Sequence, residues 1–243
     1  MSKIAIVTGA SRGIGASIAK RLAHDGMTVV VNYSNRADEA DAVVASIAAA
    51  GGKALAVKAD VSNARSVRQM FDTVEAQLGK VDVLVNNAGI MPAPTPLAEV
   101  DDDTFDRVVT INLKGSFNTM REAVSRMNSG GRIVNFSSSV TGLTFPGYTV
   151  YAATKAGIET MTNILAKEMR GRNITVNAVA PGPTATDLFL SGKSPEAIDK
   201  LAKAAPLERL GTPDDIAAAV AFFAGPDGSW INGQTLRANG GII

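Results

Sequence analysis

The sequence predicts an α/β domain whose parallel sheet is covered by helices on both faces. Three observations predict it. Short apolar runs alternate with amphipathic, helix-length stretches along the whole chain. The runs are apolar on both sides rather than alternating. No Pro-, Gly- or Ser-rich linker and no break in composition interrupts the 243 residues, so residues 1–243 read as one domain. Strands that are apolar on both sides need both faces covered, and parallel strands need helical crossovers.

The elements follow in order. Strands are expected at 4–8, 28–32, 54–59, 81–86, 132–137 and 174–180, with a seventh, shorter one at 234–237. Amphipathic segments lie between them near 13–24, 37–50, 63–78, 98–127, 150–170 and 213–224. The longest irregular stretch runs from about 182 to 213, with a short helix expected from Pro195. A loop of that length in a compact domain is more often functional than idle.

Composition narrows the function classes. The formal net charge is +1, which argues against a nucleic-acid or anionic-membrane partner. There is no cysteine, so disulfides, thiolate metal sites and a Cys nucleophile are excluded. No apolar run is long enough to span a membrane, and the first residues read as a buried strand rather than a signal peptide. A cytoplasmic protein is the expectation.

Function is first legible at the turn after the first strand, Thr8-Gly9-Ala10-Ser11-Arg12-Gly13-Ile14-Gly15, with a helix following. Glycines there allow a sharp turn and let a pyrophosphate approach the helix N-terminus, where free N–H groups and the helix dipole favour an anion. The spacing is G-x-x-x-G-x-G, so its weight comes from the strand–turn–helix setting. Ligands of open α/β sheets bind beyond the C-terminal strand ends. The third strand ends in Asp60-Val61 and the fourth in Asn86-Asn87-Ala88-Gly89, which would face the same crevice. The alternative is that Asp60 caps the next helix and the two asparagines are turn residues.

Tyr151 and Lys155 open a later helix at i, i+4 and so share a face. A nearby ammonium favours the phenolate, which lets the phenol exchange a proton with a substrate oxygen nearer neutral pH. Ser137-Ser138-Ser139 ends the fifth strand, where a hydroxyl could hold a carbonyl for that tyrosine.

The glycine turn, Asn86-Asn87-Ala88-Gly89, a serine at a strand end, Tyr151-x-x-x-Lys155 and Ala180-Pro181-Gly182 occur in one order. Together they resemble the short-chain dehydrogenase/reductase family over essentially the whole chain. The resemblance implies a Rossmann-type, doubly wound sheet of about seven strands. It implies hydride transfer between a nicotinamide dinucleotide and a carbonyl or alcohol, with a site of Asn112, Ser138, Tyr151 and Lys155. Tyr151 would be the general acid in reduction and Ser138 would orient the substrate oxygen. Lys155 would lower the phenol pKa and bind the nicotinamide ribose. Asn112 would be buried in an otherwise helical stretch, with an ordered water leading to Lys155. Ser139 is the alternative serine, since Ser139-Val140-Thr141-Gly142 also fits the family's run. The implied dinucleotide contacts are Gly9, Ser11, Arg12, Gly13, Ile14, Gly15, Asn32, Ser34, Arg36, Asp60, Val61, Asn87, Ala88, Gly89, Tyr151, Lys155, Pro181, Gly182 and Thr184.

Within the family the sequence is most similar to β-ketoacyl-[acyl-carrier-protein] reductases, with sugar or general alcohol dehydrogenases as the alternative. A nucleotide-sensing binding protein without turnover is the reading from another class; retention of both Tyr151 and Lys155 disfavours it. Arg172 matches a basic docking position that would lie beside the active-site mouth. Met127-Asn128-Ser129-Gly130 is not basic, which argues against an acyl-carrier protein as partner. The second strand ends in Asn32-Tyr33-Ser34-Asn35-Arg36 without an acid, so Arg12 and Arg36 favour NADP(H) over NAD(H).

The substrate pocket is expected to draw on Met91, Pro94, Phe145, Tyr148, Leu188 and Phe189, with 184–210 as a lid hinged near Ser191-Gly192. The outer face of the Tyr151 helix carries Ala153, Ala156, Gly157, Thr160, Met161 and Ile164 and no charge before Lys167. Such a face suggests a partner, and a homo-oligomer, a tetramer, is expected. Gly192-Lys193-Ser194 lacks the upstream glycine of a phosphate loop, His24 reads as a surface residue, and Asp101-Asp102-Asp103 reads as helix capping. No metal site is expected.

Overall fold

The computed structural model describes residues 2–243. Seven strands form one parallel sheet: β1 (Ile4–Val7), β2 (Thr28–Tyr33), β3 (Lys53–Lys58), β4 (Val83–Asn86), β5 (Arg132–Phe136), β6 (Thr175–Pro181) and β7 (Thr235–Ala238). Their order is β3-β2-β1-β4-β5-β6-β7. The chain works outward from β1 to β3, then returns to lay β4 against the other side of β1. Crossovers leave in opposite directions on either side of that β1/β4 pair, which opens a crevice at the C-terminal strand ends. This is a doubly wound, Rossmann-like α/β sheet.

The helices divide between the two faces. On one side α1 (Gly13–His24), α2 (Ala37–Ala49) and α10 (Pro213–Ala224) bury Ile18, Leu22, Val43, Ile47, Val220 and Phe223 against the sheet. On the other side α3 (Ala64–Gln77), α5 (Gly115–Arg126) and α7 (Thr149–Glu168) bury Met70, Phe71, Val74, Met120 and Leu165. Phe71 and Phe223 are among the largest fully enclosed side chains, one under each face. Truncating either to Ala would cost about 3–5 kcal/mol.

The expected boundaries hold to within a residue or two for most elements, with one informative difference. The stretch expected as one helix near 98–127 starts with a 3-10 turn at Leu97–Glu99 and continues as α4 (Asp102–Val108). A π-helical segment, Val109–Lys114, then joins α4 to α5. Asp101 caps α4, its carboxylate accepting from the Thr104 N–H at 2.6 Å, as the capping reading requires. Asn63, not Asp60, caps α3, accepting from the N–H groups of Arg65 and Ser66. A short helix, α6 (Val140–Leu143), follows β5, and the long loop after β6 carries two, α8 (Asp187–Leu190) and α9 (Pro195–Ala204). Among the described residues no helix is long and apolar enough to cross a membrane.

Candidate active site

The β1–α1 turn is built to approach a ligand closely. Gly9 sits at φ +62°, in the left-handed region that favours glycine. A Cβ on Gly15 would lie 2.4 Å from the Gly9 carbonyl oxygen and 2.6 Å from Asn87 Nδ2, so no side chain fits there. Arg12 precedes α1 without capping it through its side chain, and the first turn holds no acid. The helix N-terminus therefore offers N–H groups and a positive dipole end to an anion. These features fit a dinucleotide pyrophosphate.

Asn32 and Asn87 brace that turn. Asn32 accepts from the Gly9 N–H at 3.3 Å and donates to the carbonyls of Val57 (3.2 Å) and Ala59 (3.1 Å). Its side chain thus fixes the turn from beneath while the residue itself lines the cleft. Asn87 Nδ2 donates to the carbonyls of Thr8 (2.9 Å) and Gly9 (3.0 Å), while Thr8 Oγ1 accepts from the N–H groups of Asn87 and Ala88. Asn86 is no turn residue. It ends β4 inside a buried relay, donating to Asn135 at 2.8 Å and accepting from Thr119. Asn135 in turn donates to Thr162 on α7 at 2.9 Å. Every member is partnered, as a buried polar network requires.

The three serines after β5 separate by their partners. Ser139 is fully buried, donates to the Ala180 carbonyl at 3.2 Å and accepts from Asn239 at 3.0 Å. Ser137 donates to Glu159 at 2.5 Å. Ser138 makes no such tie to the strand or to α7; its hydroxyl accepts only from the Val140 N–H, lines the cleft and is the serine that acts on the Tyr151 phenol, holding its pKa down. Ser138 is thus the freer hydroxyl to meet a substrate oxygen, and Ser139 is committed to the fold.

Burial pushes the Tyr151 phenol above its ordinary value; the Ser138 hydroxyl opposes this and neighbouring Tyr148 adds to it. Lys155 Nζ donates to the Phe136 carbonyl at 2.9 Å and lies 5.6 Å from the centre of the Tyr151 ring. Burial lowers its own pKa to about 8. The ammonium faces the ring and a carbonyl, and the serine supplies the downward pull.

Asn112 differs from expectation in its surroundings. It lies in the π-helical segment, fully buried, accepting from the Ile90 N–H at 2.8 Å and donating to the Ile90 carbonyl at 2.9 Å. Its side chain thus splints the irregular segment that follows Gly89. Ser116 Oγ takes the Asn112 carbonyl at 2.8 Å, a side-chain substitute for the helical bond the wider turn gives up.

Every other expected catalytic and dinucleotide-contact residue lines one cleft of about 700 Å³, running from the Asp60 side past the glycine turn to Tyr151 and on to Thr184. Asn112 stands behind its wall. Met91, Phe145, Tyr148, Leu188 and Phe189 also line it, whereas Pro94 does not. Arg36 reaches the cleft but is paired with Glu39 at 2.5 Å. Arg107, Ile111 and Lys193 line it too and were not singled out.

Arg172 corrects the docking reading. Its guanidinium donates to the carbonyls of Val124 and Met127, and its own carbonyl accepts from Gly130. That places it near the N-terminal ends of β5 and β6, opposite the cleft. On the outer face of α7, Ala153, Ala156, Thr160 and Ile164 are exposed; Gly157 lies close to Leu113 and Met161 packs on the core.

Comparison with known proteins gives the family. Residues 9–243 match the family model described as Enoyl-(Acyl carrier protein) reductase. The chain is 46% identical to a short-chain type dehydrogenase/reductase of Picea abies, over 99% of this chain and 92% of that protein. It is 43% identical to a 3-oxoacyl-[acyl-carrier-protein] reductase of Staphylococcus epidermidis, covering 100% of this chain and 99% of that one. A Burkholderia cenocepacia short chain dehydrogenase in complex with NADP superposes with a TM-score of 0.92 at 40% identity, over 99% of this chain and 97% of the other. The chain belongs to the short-chain dehydrogenase/reductase family and is an NAD(P)-dependent oxidoreductase.

Proposed function

We propose that the chain reduces a carbonyl on a largely apolar substrate to the alcohol, and runs the reverse reaction, with NADP(H). The carrying observation is that Ser138, Tyr151 and Lys155 line the same cleft as the glycine turn. When bound, the nicotinamide supplies or accepts the hydride. Ser138 and Tyr151 present two hydroxyls to one substrate oxygen, and Tyr151 passes it a proton in reduction. Burial keeps the phenol protonated at neutral pH, which suits an acid. Lys155, fixed by the Phe136 carbonyl, sets a positive charge beside the phenol and against the cleft.

NADP(H) is supported by two cations, Arg12 and Arg36, on the cleft near the end of β2, by the lack of an acid there, and by the NADP-bound relative. The apolar lining suits an acyl or other hydrophobic carbonyl compound. A 3-oxoacyl thioester fits that class, as the Staphylococcus relative's name suggests, but the position of Arg172 argues against carrier docking through that residue. A cytoplasmic location accords with this reading. We also infer a homo-oligomer, a tetramer: Phe105, Phe117 and Ile164 are 48%, 45% and 51% exposed on the α4/α5/α7 side, and Trp230 is 96% exposed near the β7 edge.

The test is turnover of NADPH and NADH against a panel of 3-oxoacyl thioesters, sugars, steroids and small diketones. Oxidation of NADPH with at least one carbonyl compound supports the reading. Dinucleotide binding without turnover across the panel points to a sensor.

A further inference from the structure

Resting on the assignment of Ser138 and Tyr151 above, we propose that Glu159 is a positioning residue of the active site. It holds the serine loop to α7 so that Ser138 stays within reach of the phenol. Tyr151, Lys155 and Glu159 succeed one another at i, i+4 and i+8 along α7 and so form one stripe. The first two face the cleft. The third meets the loop after β5.

Glu159 Oε1 accepts from Ser137 Oγ at 2.5 Å and from Thr141 Oγ1 at 3.2 Å. These two residues bracket Ser138 on either side. Ser137 Oγ also reaches the Lys155 carbonyl at 3.5 Å, and Thr141 Oγ1 reaches the Ser138 carbonyl at 2.9 Å. One carboxylate oxygen therefore gathers both ends of the segment that carries Ser138 and ties them to the helix that carries Tyr151.

The chemistry suits the task. A carboxylate is an acceptor only, and hydroxyl bonds to an ionised oxygen are short and strong. The loop needs such a tie because Ser138 itself is held weakly, accepting from the Val140 N–H at 3.3 Å. Serine placement matters because small errors in the position of a reacting group are costly in rate. Glu159 is not itself part of the cleft lining, so it acts through the loop that carries Ser138.

The experiment is steady-state kinetics across pH for the NADPH-dependent reduction, with NADPH dissociation constants from fluorescence titration. Glu159→Ala is expected to lower kcat roughly 10- to 100-fold while leaving NADPH affinity at the parent's value. The alkaline limb set by Tyr151, which Ser138, Tyr148 and Lys155 also face, is expected to move to higher pH as Ser138 moves from the phenol. Glu159→Gln is expected to restore most of the turnover, since its amide oxygen can accept the same two hydroxyls. The double variant Ser137→Ala/Thr141→Val removes the donors instead and is expected to reproduce Glu159→Ala.

Parent-like kcat and pH profile in Glu159→Ala overturn the proposal, as does equal loss in Glu159→Gln and Glu159→Ala. If Glu159→Ala does not fold, the double variant decides, and parent-like turnover there overturns it. Tyr151→Phe in the same assay separates the two readings. An active Tyr151→Phe defeats the tyrosine assignment, whereas an inactive one beside a parent-like Glu159→Ala defeats only the role of Glu159.

Discussion

Ser138 on the loop after β5 shares the cleft with Tyr151 in the first turn of α7 and holds its phenol pKa down, while its neighbour Ser139 turns away to Ala180 and Asn239. Adjacent serines therefore have separable roles. Tyr151→Phe should keep dinucleotide binding and lose about 10²–10⁴-fold in turnover. Ser138→Ala should remove the pull that holds the phenol down, moving the alkaline limb of reduction to higher pH. Ser139→Ala should keep most turnover and lose roughly 1–2 kcal/mol of stability, the worth of its buried hydrogen bonds. Denaturant melts and pH–rate profiles check all three, and a pH shift in Ser139→Ala alone would reverse the assignment.

Lys155 gives a stability prediction with a definite sign. Its pKa falls from an ordinary 10.5 to about 8 in the fold because burial disfavours the charge. Between those values the unfolded chain holds a proton that the folded chain has released, so this residue makes stability rise with pH across that window. Below about 8 both states are protonated and the burial penalty is present in full, of order 3 kcal/mol. Losing the bond to the Phe136 carbonyl costs about 1–3 kcal/mol, which is no larger. Lys155→Met should thus be no less stable than the parent at neutral pH while losing turnover. Its stability relative to the parent should decline as pH rises from about 8 to 10.5, measured by thermal melts.

The cofactor preference tests Arg36. Removing a charge-assisted contact costs about 1.5–3 kcal/mol, or roughly 10- to 100-fold. Arg36→Ala should lower kcat/KM for NADPH by that factor and leave NADH within a few-fold. Equal loss with both dinucleotides would show that Arg36 serves the fold through Glu39 rather than the 2′-phosphate.

The segment after β6 should move. Neither α8 nor α9 contains a buried residue, yet Thr186, Leu188, Phe189 and Leu201 line the cleft. Segments with so few buried contacts open at low free-energy cost. Hydrogen exchange across 184–210 should slow when NADPH and a substrate analogue are added. Unchanged protection there would mean that the segment is no lid.

The outer face of α7 predicts self-association. Light scattering after size exclusion should give a mass well above the 25.1 kDa of one chain, and Thr160→Glu should lower it. A parent that runs as a stable monomer at micromolar concentration would remove the basis for the oligomer.

Much of this was legible in the sequence because the sheet is buried on both faces. Its strands, such as Thr28-Val29-Val30-Val31, leave no ambiguity between inside and outside. Residues at the C-terminal ends of those strands had to converge, so Gly9, Asp60, Asn87, Ser138 and Pro181 were placed by topology alone. The π-helical segment was not legible. Val109-Thr110-Ile111-Asn112-Leu113-Lys114 contains no Gly or Pro, and its wider turn depends on Ile90 and Ser116 capturing the polar groups of Asn112. The bond from Lys155 to the Phe136 carbonyl was not legible either, because a carbonyl at the end of β5 has no sequence signature. Arg172 misled because position along the chain does not say which end of the sheet a residue occupies. Glu159 could have been found from the spacing Tyr151, Lys155, Glu159.

The bond from Asn239 to Ser139 joins residues a hundred positions apart, one within the serine loop and the other just beyond the last strand. Synthesis runs from the N-terminus, so the glycine turn is made long before Asn239. No nascent chain that stops short of residue 239 can make this bond. The Ser139 anchor of the serine loop therefore completes only after the residues that would grip the dinucleotide are already made.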